Sequence, residues 1–134
     1  MPDTWHDWLD VAGERRADVT ALQLGQREVA VIYIVGYTVE CHLKALLNKK
    51  SIRFPRSGPE GHNLAALMEK AGMKRSDLMQ PRREFVDMWG TDLRYETELP
   101  QGSDFDTLLK GGTDLASYVA KQIKRDRPHN RRNR

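Results

Sequence analysis

The chain has 134 residues, which is the length of a single domain and is enough to enclose a hydrophobic core. Hydrophobic residues make up 39% and charged residues 31%, a balance typical of soluble globular proteins rather than disordered ones. The single cysteine, Cys41, excludes an intrachain disulfide and a cysteine-based zinc site, and it favours a reducing, cytoplasmic location. The longest apolar run, residues 29–39, is too short to span a membrane, and the N-terminus lacks the pattern of a signal peptide. We therefore expect no membrane association.

The net charge of +3 conceals an asymmetry between the body of the chain and its end. Residues 121–134 carry seven basic side chains and one acidic one, so the other 120 residues sum to −3. We expect one folded domain over residues 1–125 and a flexible basic tail over residues 126–134. Such a tail can bind phosphates by releasing their counterions, or it can be an ordinary frayed terminus. The arginines of the tail that are candidate RNA ligands are Arg127, Arg131 and Arg132.

The hydrophobic spacing predicts helices throughout and no strand. A first helix begins at a cap formed by Asp3 or Thr4 and ends near Gly25, and Gly13 is a point at which it could break. A second helix covers residues 27–49. Its buried stripe repeats every three or four residues and comprises Val29, Ile32, Val35, Val39, Leu43 and Leu46. This helix is apolar on nearly all sides in its first half, which indicates a position at the centre of the bundle or at a subunit interface. Gly36 lets a neighbouring backbone come close.

Shorter elements follow the second helix. Proline and glycine indicate a loop over residues 51–61, and a third helix covers residues 63–71. Pro81 fits the first turn of a further helix, and residues 90–102 form a second loop. The last helix begins at Ser103 or Asp104, and the glycine pair at residues 111–112 favours a kink in it. The pattern predicts an all-α, up-and-down bundle of four to five helices.

Three motifs in order along the chain resemble the HEPN-domain family. Residues 36–47 read Gly-Tyr-Thr-Val-Glu-Cys-His-Leu-Lys-Ala-Leu-Leu, which resembles the central helix of that family, with its aromatic residue, Glu-x-x-x-Lys pair and Ala-Leu-Leu. Residues 61–67 resemble the Gly-His-x-Leu-x-x-Leu start of the next helix, and Trp89 with residues 93–96 resembles the Arg-Tyr segment before the last helix. The resemblance covers residues 4–124.

The resemblance implies a compact, usually homodimeric helical bundle associated with RNA or nucleotides, without a metal or other cofactor. Many members are metal-independent ribonucleases of toxin–antitoxin, phage-defence or CRISPR systems. Others are inactive partners of a nucleotidyltransferase. Active members carry Arg-x(4–6)-His at the start of the final helix. Arg94 matches the arginine, but positions 99–101 are Leu, Pro and Gln, so the motif is incomplete.

Two other histidines could replace the missing one in acid–base catalysis, for which imidazole is suited by its pKa. His42 lies on the second helix beside Glu40 and Lys44, and could face the same groove. His62 begins the third helix, where capping or packing is the simpler role. Arg56 and His62 also fit the spacing by chance, in the wrong place for the family's catalytic pair.

Glu40 and Lys44 are four residues apart in the favourable order for a helical ion pair. A buried glutamate needs a partner, and Arg94 is the candidate that the sequence offers. Arg94 is then a strut that ties the second loop to Glu40, or it is held by Glu40 and flanked by Tyr95 and Lys44 in a cleft that receives phosphate. The two roles are compatible.

Three functions follow from these features. The first is a non-catalytic HEPN-like subunit that binds RNA or a nucleotide as a homodimer, or together with a nucleotidyltransferase or defence-system partner. The second is a divergent metal-independent ribonuclease that uses Arg94 with His42 or His62. The third is a purely structural dimerisation module. The incomplete motif, the acidic body and the basic tail favour the first.

Overall fold

A computed structural model describes residues 2–126, and every regular element in that range is helical. The all-α class predicted from the sequence is confirmed. The α-helices are α1 (Trp5–Leu24), α2 (Glu28–Lys49), α3 (Gly58–Gly61), α4 (Leu64–Lys70), α5 (Gln80–Met88) and α6 (Phe105–Arg125). Two short 3₁₀ helices cover Arg75–Asp77 and Thr91–Tyr95. The tail arginines Arg127, Arg131 and Arg132 lie outside the described residues.

Local signals fix the ends of several helices. Thr4 and Asp7 form a capping box, in which the Thr4 Oγ1 accepts a hydrogen bond from the Asp7 N–H and the Asp7 carboxylate accepts one from the Thr4 N–H, both at 3.1 Å. The Asn63 side chain caps α4 by accepting from the Ala66 N–H at 3.0 Å. Helix α1 continues through Gly13, so the break that glycine could have caused is absent.

Helix α2 is the centre of the fold. Every residue from Thr38 to Leu47 is buried, and α1, α4, α6 and the Thr91–Tyr95 turn pack around it. By length and composition α2 could cross a membrane, but 72% of its most apolar window is buried inside the protein. A core helix of a soluble protein has these properties.

Helices α2 and α6 pack side by side. Gly112 lies against Val35, and the Lys49 Nζ donates a hydrogen bond to the Ile123 carbonyl oxygen at 2.8 Å. Both contacts advance in the same direction along α2 and α6, so these two helices run parallel. The second and fourth helices of an up-and-down bundle are parallel in the same way, so the predicted topology stays a prediction. The described residues contain six α-helices instead of the predicted four to five, and the short Gly58–Gly61 helix lies in the predicted loop.

Glycines allow the closest approaches within the bundle. A Cβ atom at Gly36 would overlap the indole ring of Trp89, so the close neighbour is a side chain and not the backbone that we had expected. A Cβ atom at Gly111 would overlap the Pro81 carbonyl group, and one at Gly112 would lie 2.5 Å from Val35 Cγ1. The glycine pair therefore lets α5 and α2 pack against a continuous α6, whereas the sequence had suggested a kink.

Candidate functional site

One face of α2 carries a row of polar and aromatic side chains. Tyr33, Tyr37, Glu40 and Lys44 follow one another at spacings of four, three and four residues, which places them on a single face of the helix. The two tyrosines are half-buried, whereas Glu40 and Lys44 are buried. Two residues of this polar face, Glu40 and Lys44, are among the candidate site residues that the sequence indicated.

Lys44 is the most deeply buried charge of this face, with 1% of its side chain exposed. Its Nζ donates hydrogen bonds to Glu40 Oε2 at 2.9 Å and to the Arg56 carbonyl oxygen at 3.0 Å. It also lies 5.1 Å from the centre of the Trp8 ring, a cation–π contact. The ion pair expected from the spacing of Glu40 and Lys44 is thus formed. Through its hydrogen bond to the Arg56 carbonyl oxygen, Lys44 also attaches the loop around Arg56 to the central helix.

The second oxygen of the Glu40 carboxylate binds His62. His62 Nδ1 lies 2.8 Å from Glu40 Oε1, and the edge of its ring contacts Tyr37 with the ring centres 5.8 Å apart. Both carboxylate oxygens of Glu40 therefore have partners, and neither partner is Arg94. The predicted Arg94–Glu40 ion pair is wrong, because a lysine one turn away and a histidine of the next loop satisfy the buried charge.

The Glu40 contact also fixes the orientation of the His62 ring. An ionised carboxylate only accepts hydrogen bonds, so His62 Nδ1 is the donor in this pair. The His62 side chain is 30% exposed, and within residues 2–126 no hydrogen bond joins its Nε2 to another residue. A neutral His62 therefore has Nε2 as an acceptor.

His42 does not share this site. It is 4% exposed, and its Nδ1 lies 2.8 Å from the Thr38 carbonyl oxygen. Burial, followed by the nearby positive charge of Arg16, lowers the pKa of His42, whereas the Thr38 hydrogen bond acts in the opposite direction. The idea that His42 faces the groove of Glu40 is wrong, because two residues along a helix turn a side chain to nearly the opposite side. Burial disfavours the charged form of the neighbouring Cys41 as well, and for a thiol this raises the pKa, here to about 12.

A pair of tyrosines separates His62 from Arg94. The Tyr33 and Tyr37 hydroxyl groups are 2.9 Å apart, and burial together with this hydrogen bond raises the pKa of Tyr37. Trp89 packs against both rings and donates from Nε1 to the Tyr33 carbonyl oxygen at 3.0 Å. His62 contacts the Tyr37 ring, whereas Arg94 lies beside Tyr33, so the two candidate catalytic residues occupy opposite ends of this pair.

Arg94 lies on the surface with the adjacent Tyr95. Its guanidinium is 4.9 Å from the centre of the Tyr95 ring, and Tyr95 is 74% exposed. Arginine is a permanent cation, and side-chain hydrogen bonds with Tyr95 and Tyr33 raise the pKa of Arg94 further. No ion pair joins Arg94 to another of the described residues.

Arg94 forms part of the wall of a cleft of about 1100 Å³, which we call the α1–α2 cleft. One wall is the turn between α1 and α2, with Arg27 and Glu28, and the opposite wall is the segment 93–99. Tyr33 and Phe105 also line it. Of these residues the sequence indicated only Arg94. No local pattern could have found the others, since three distant segments meet there.

Comparisons with known protein families, curated proteins and solved structures found no match to this chain. Within residues 2–126 no group of three or more histidine, cysteine, aspartate or glutamate side chains could hold a metal ion. The candidate site is thus defined by the polar face of α2 and the α1–α2 cleft that adjoins it.

Proposed function

We propose that the protein is a HEPN-like RNA- or nucleotide-binding subunit of a prokaryotic toxin–antitoxin or defence system, and that it does not cleave its ligand. The observation that carries this proposal is the position of Arg94, exposed and without an ion pair among the described residues, on the wall of the α1–α2 cleft. A guanidinium in such a position is suited to binding a phosphate group through two parallel hydrogen bonds. Arg27 across the cleft offers a second cation.

The protein is expected to act as a homodimer, with a nucleotidyltransferase or another defence-system protein as an alternative partner. Leu24 is compatible with an association of this kind, because 85% of this large apolar side chain is exposed at the end of α1, between Gln23 and Gln26, which line the cleft. A purely structural dimerisation module would use the same surface and would not need the unpaired Arg94.

Binding of a fluorescently labelled single-stranded RNA of mixed sequence, measured by anisotropy over a range of salt concentrations, tests the proposal. We expect Arg94→Ala to weaken binding by about tenfold, and to reduce the slope of log K against log salt by about 0.7, the value for one lost phosphate contact. Arg53→Ala is the matched control, because Arg53 is exposed and outside the cleft. Equal effects of the two variants would show that only net charge matters, and would contradict the proposal.

The second candidate function is a divergent metal-independent ribonuclease, and the Glu40–His62 hydrogen bond is the observation that favours it. A histidine whose Nδ1 is held by a carboxylate can accept the proton of a ribose 2′-hydroxyl at Nε2, and Arg94 would stabilise the charge that develops on the phosphate. This reaction requires one phosphate to reach both residues across the tyrosine pair. His42, being buried, is not a candidate for this role.

Cleavage of total tRNA and of a structured messenger RNA in EDTA separates the two functions. The binding proposal predicts no cleavage above that of a mock preparation. Cleavage that disappears in both Arg94→Ala and His62→Gln, with both variants folded by circular dichroism, would establish the ribonuclease instead.

A further inference from the structure

The α1–α2 cleft carries charges of both signs that do not neutralise one another. Two arginines and three glutamates line it: Arg27, Arg94, Glu28, Glu96 and Glu98. All five side chains are exposed, and no ion pair joins any of them to another of the described residues. The cleft therefore combines, around one space, cationic and anionic groups that are not ion-paired among the described residues.

Exposed charges elsewhere on the molecule behave differently. Arg15 pairs with Asp18 at 3.0 Å, and Lys110 pairs with Asp114 at 3.1 Å. Neighbouring opposite charges on this surface thus do meet where the geometry allows it. The five charged side chains of the cleft form no such pair within residues 2–126, so a molecule between the walls can supply their ionic partners.

This combination restricts the chemistry of the ligand. A site for phosphate alone has an excess of cations, whereas here three carboxylates face two guanidiniums and repel a bare polyanion. A ligand that suits both kinds of group has an anionic part and a part rich in N–H donors. A nucleotide has both, since its phosphate pairs with arginine and the amino groups of its base donate to carboxylate oxygens.

Among the bases, guanine matches a carboxylate best. Its Watson–Crick edge places the N1–H and N2–H₂ donors side by side, so that two donors meet the two oxygens of one carboxylate. Uracil offers on the same edge one N–H between two carbonyl oxygens, which a carboxylate repels. This edge is accessible only in an unpaired base, because a duplex uses it for pairing.

We propose that the α1–α2 cleft reads an unpaired guanine in RNA, an inference that rests on the proposed RNA binding and adds its specificity. Arg94 binds the adjoining phosphate, and a carboxylate of Glu28, Glu96 or Glu98 accepts from the guanine edge. The exposed ring of Tyr95, in contact with the Arg94 guanidinium, offers a surface on which a neighbouring base stacks.

The test uses labelled 12-nucleotide oligouridines in which the central position is G, A, C or U. We expect the guanine oligonucleotide to bind about fivefold or more tightly than the all-uridine one, at the lower end of the discrimination that a bidentate contact gives. The single substitutions Glu28→Gln, Glu96→Gln and Glu98→Gln then identify which glutamate contacts the guanine, since an amide has only one acceptor oxygen. Substitution of the glutamate that contacts the guanine reduces the ratio of the affinity for the guanine oligonucleotide to that for the all-uridine one to near one. The control Glu14→Gln, at an exposed position on α1, leaves this ratio unchanged.

The outcomes distinguish this inference from the function on which it rests. If the glutamates only repel RNA, each substitution raises the affinity for all four oligonucleotides alike and leaves the ratio unchanged, which overturns guanine reading but not RNA binding. Equal binding of the four oligonucleotides by the wild-type protein has the same meaning. If no oligonucleotide binds, the proposed function fails and the inference fails with it.

Discussion

Two groups of charged and polar side chains differ in their burial and in their partners, one packed on α2 and the other around the α1–α2 cleft. In the first group, Glu40, Lys44 and His62, the glutamate and the lysine are buried and every charged atom has a partner. In the second group, at the α1–α2 cleft, the charges are exposed and form no ion pairs with one another. A buried charge without a partner loses its hydration and destabilises the fold, whereas an exposed charge stays hydrated and needs no partner in the protein. An exposed charge is therefore available to a ligand. We therefore assign the first group to stability and the second to binding.

The largest effect is expected from breaking the buried group. Lys44→Met keeps the bulk of the side chain but leaves the Glu40 carboxylate buried without its cation. Removal of one partner of a buried ion pair costs about 3–5 kcal/mol, so the free energy of unfolding in urea should fall by about that amount. A loss below about 1 kcal/mol would mean that the network does not stabilise the fold.

Two controls sharpen this prediction. The double variant Glu40→Leu/Lys44→Met removes both charges and should recover much of the lost stability, because well-packed apolar residues replace a buried pair at small cost. Lys110→Ala breaks an exposed pair, whose lysine side chain is 69% exposed, and should change the stability by at most about 1 kcal/mol.

The next effect concerns Trp89, which packs against both tyrosines between the two groups. Gly36→Ala places a methyl group where the indole ring lies, and overpacking of this kind costs about 1–3 kcal/mol. The control Gly13→Ala introduces the same methyl group into open space on α1 and should stabilise the protein by about 0.5–1 kcal/mol. Thermal unfolding of both variants measures the contrast, and a neutral Gly36→Ala would show that Trp89 can move aside.

A smaller effect is expected from His42 and only at acid pH. Its pKa is lower in the folded protein than the ordinary value of 6.5, because burial disfavours the charged ring. As the pH falls through 6.5, the unfolded chain therefore takes up a proton at His42 before the folded protein does. This proton uptake favours the unfolded state, so the free energy of unfolding decreases below that pH. The unfolding free energy of His42→Gln, measured from pH 7.5 to 5, should fall less steeply than that of the wild type. Parallel slopes would show that other groups determine the acid sensitivity.

The smallest effect on stability is expected at the cleft itself. Arg94→Ala removes an exposed side chain without an ion-pair partner among the described residues, and such surface changes lie within about 0.5 kcal/mol. Urea unfolding checks this. A loss of several kcal/mol would mean that Arg94 is a strut after all, although with Tyr95 and Tyr33 as its contacts and not Glu40.

Local patterns in the sequence were sufficient to predict the all-α class and the approximate positions of the longer helices. The cap at Thr4, the position of Pro81 in the first turn of α5 and the apolar stripe of α2, buried except for the half-buried Val29, depend on residues a few positions apart. The i,i+4 pair of Glu40 and Lys44 is local in the same sense and is formed.

Contacts between distant segments were not accessible in this way. The sequence indicated that a buried Glu40 needs a partner, but the choice between Arg94 and His62 depends on how the loop before α4 folds back onto α2. Gly36 signalled a close approach without revealing that its neighbour would be Trp89. The α1–α2 cleft was not predictable, because Arg27 and Glu28 line a cleft only when the distant segment 93–99 packs opposite them.

The most direct test of the central claim measures unfolding free energy and RNA affinity on the same preparations of Lys44→Met and Arg94→Ala. We predict a crossed result, in which Lys44→Met loses stability but, below its unfolding transition, binds RNA like the wild type. Arg94→Ala should keep its stability and lose about tenfold in affinity. If Lys44→Met loses RNA binding while still folded, or if Arg94→Ala binds normally, the division of these charges into a structural group and a binding group is contradicted.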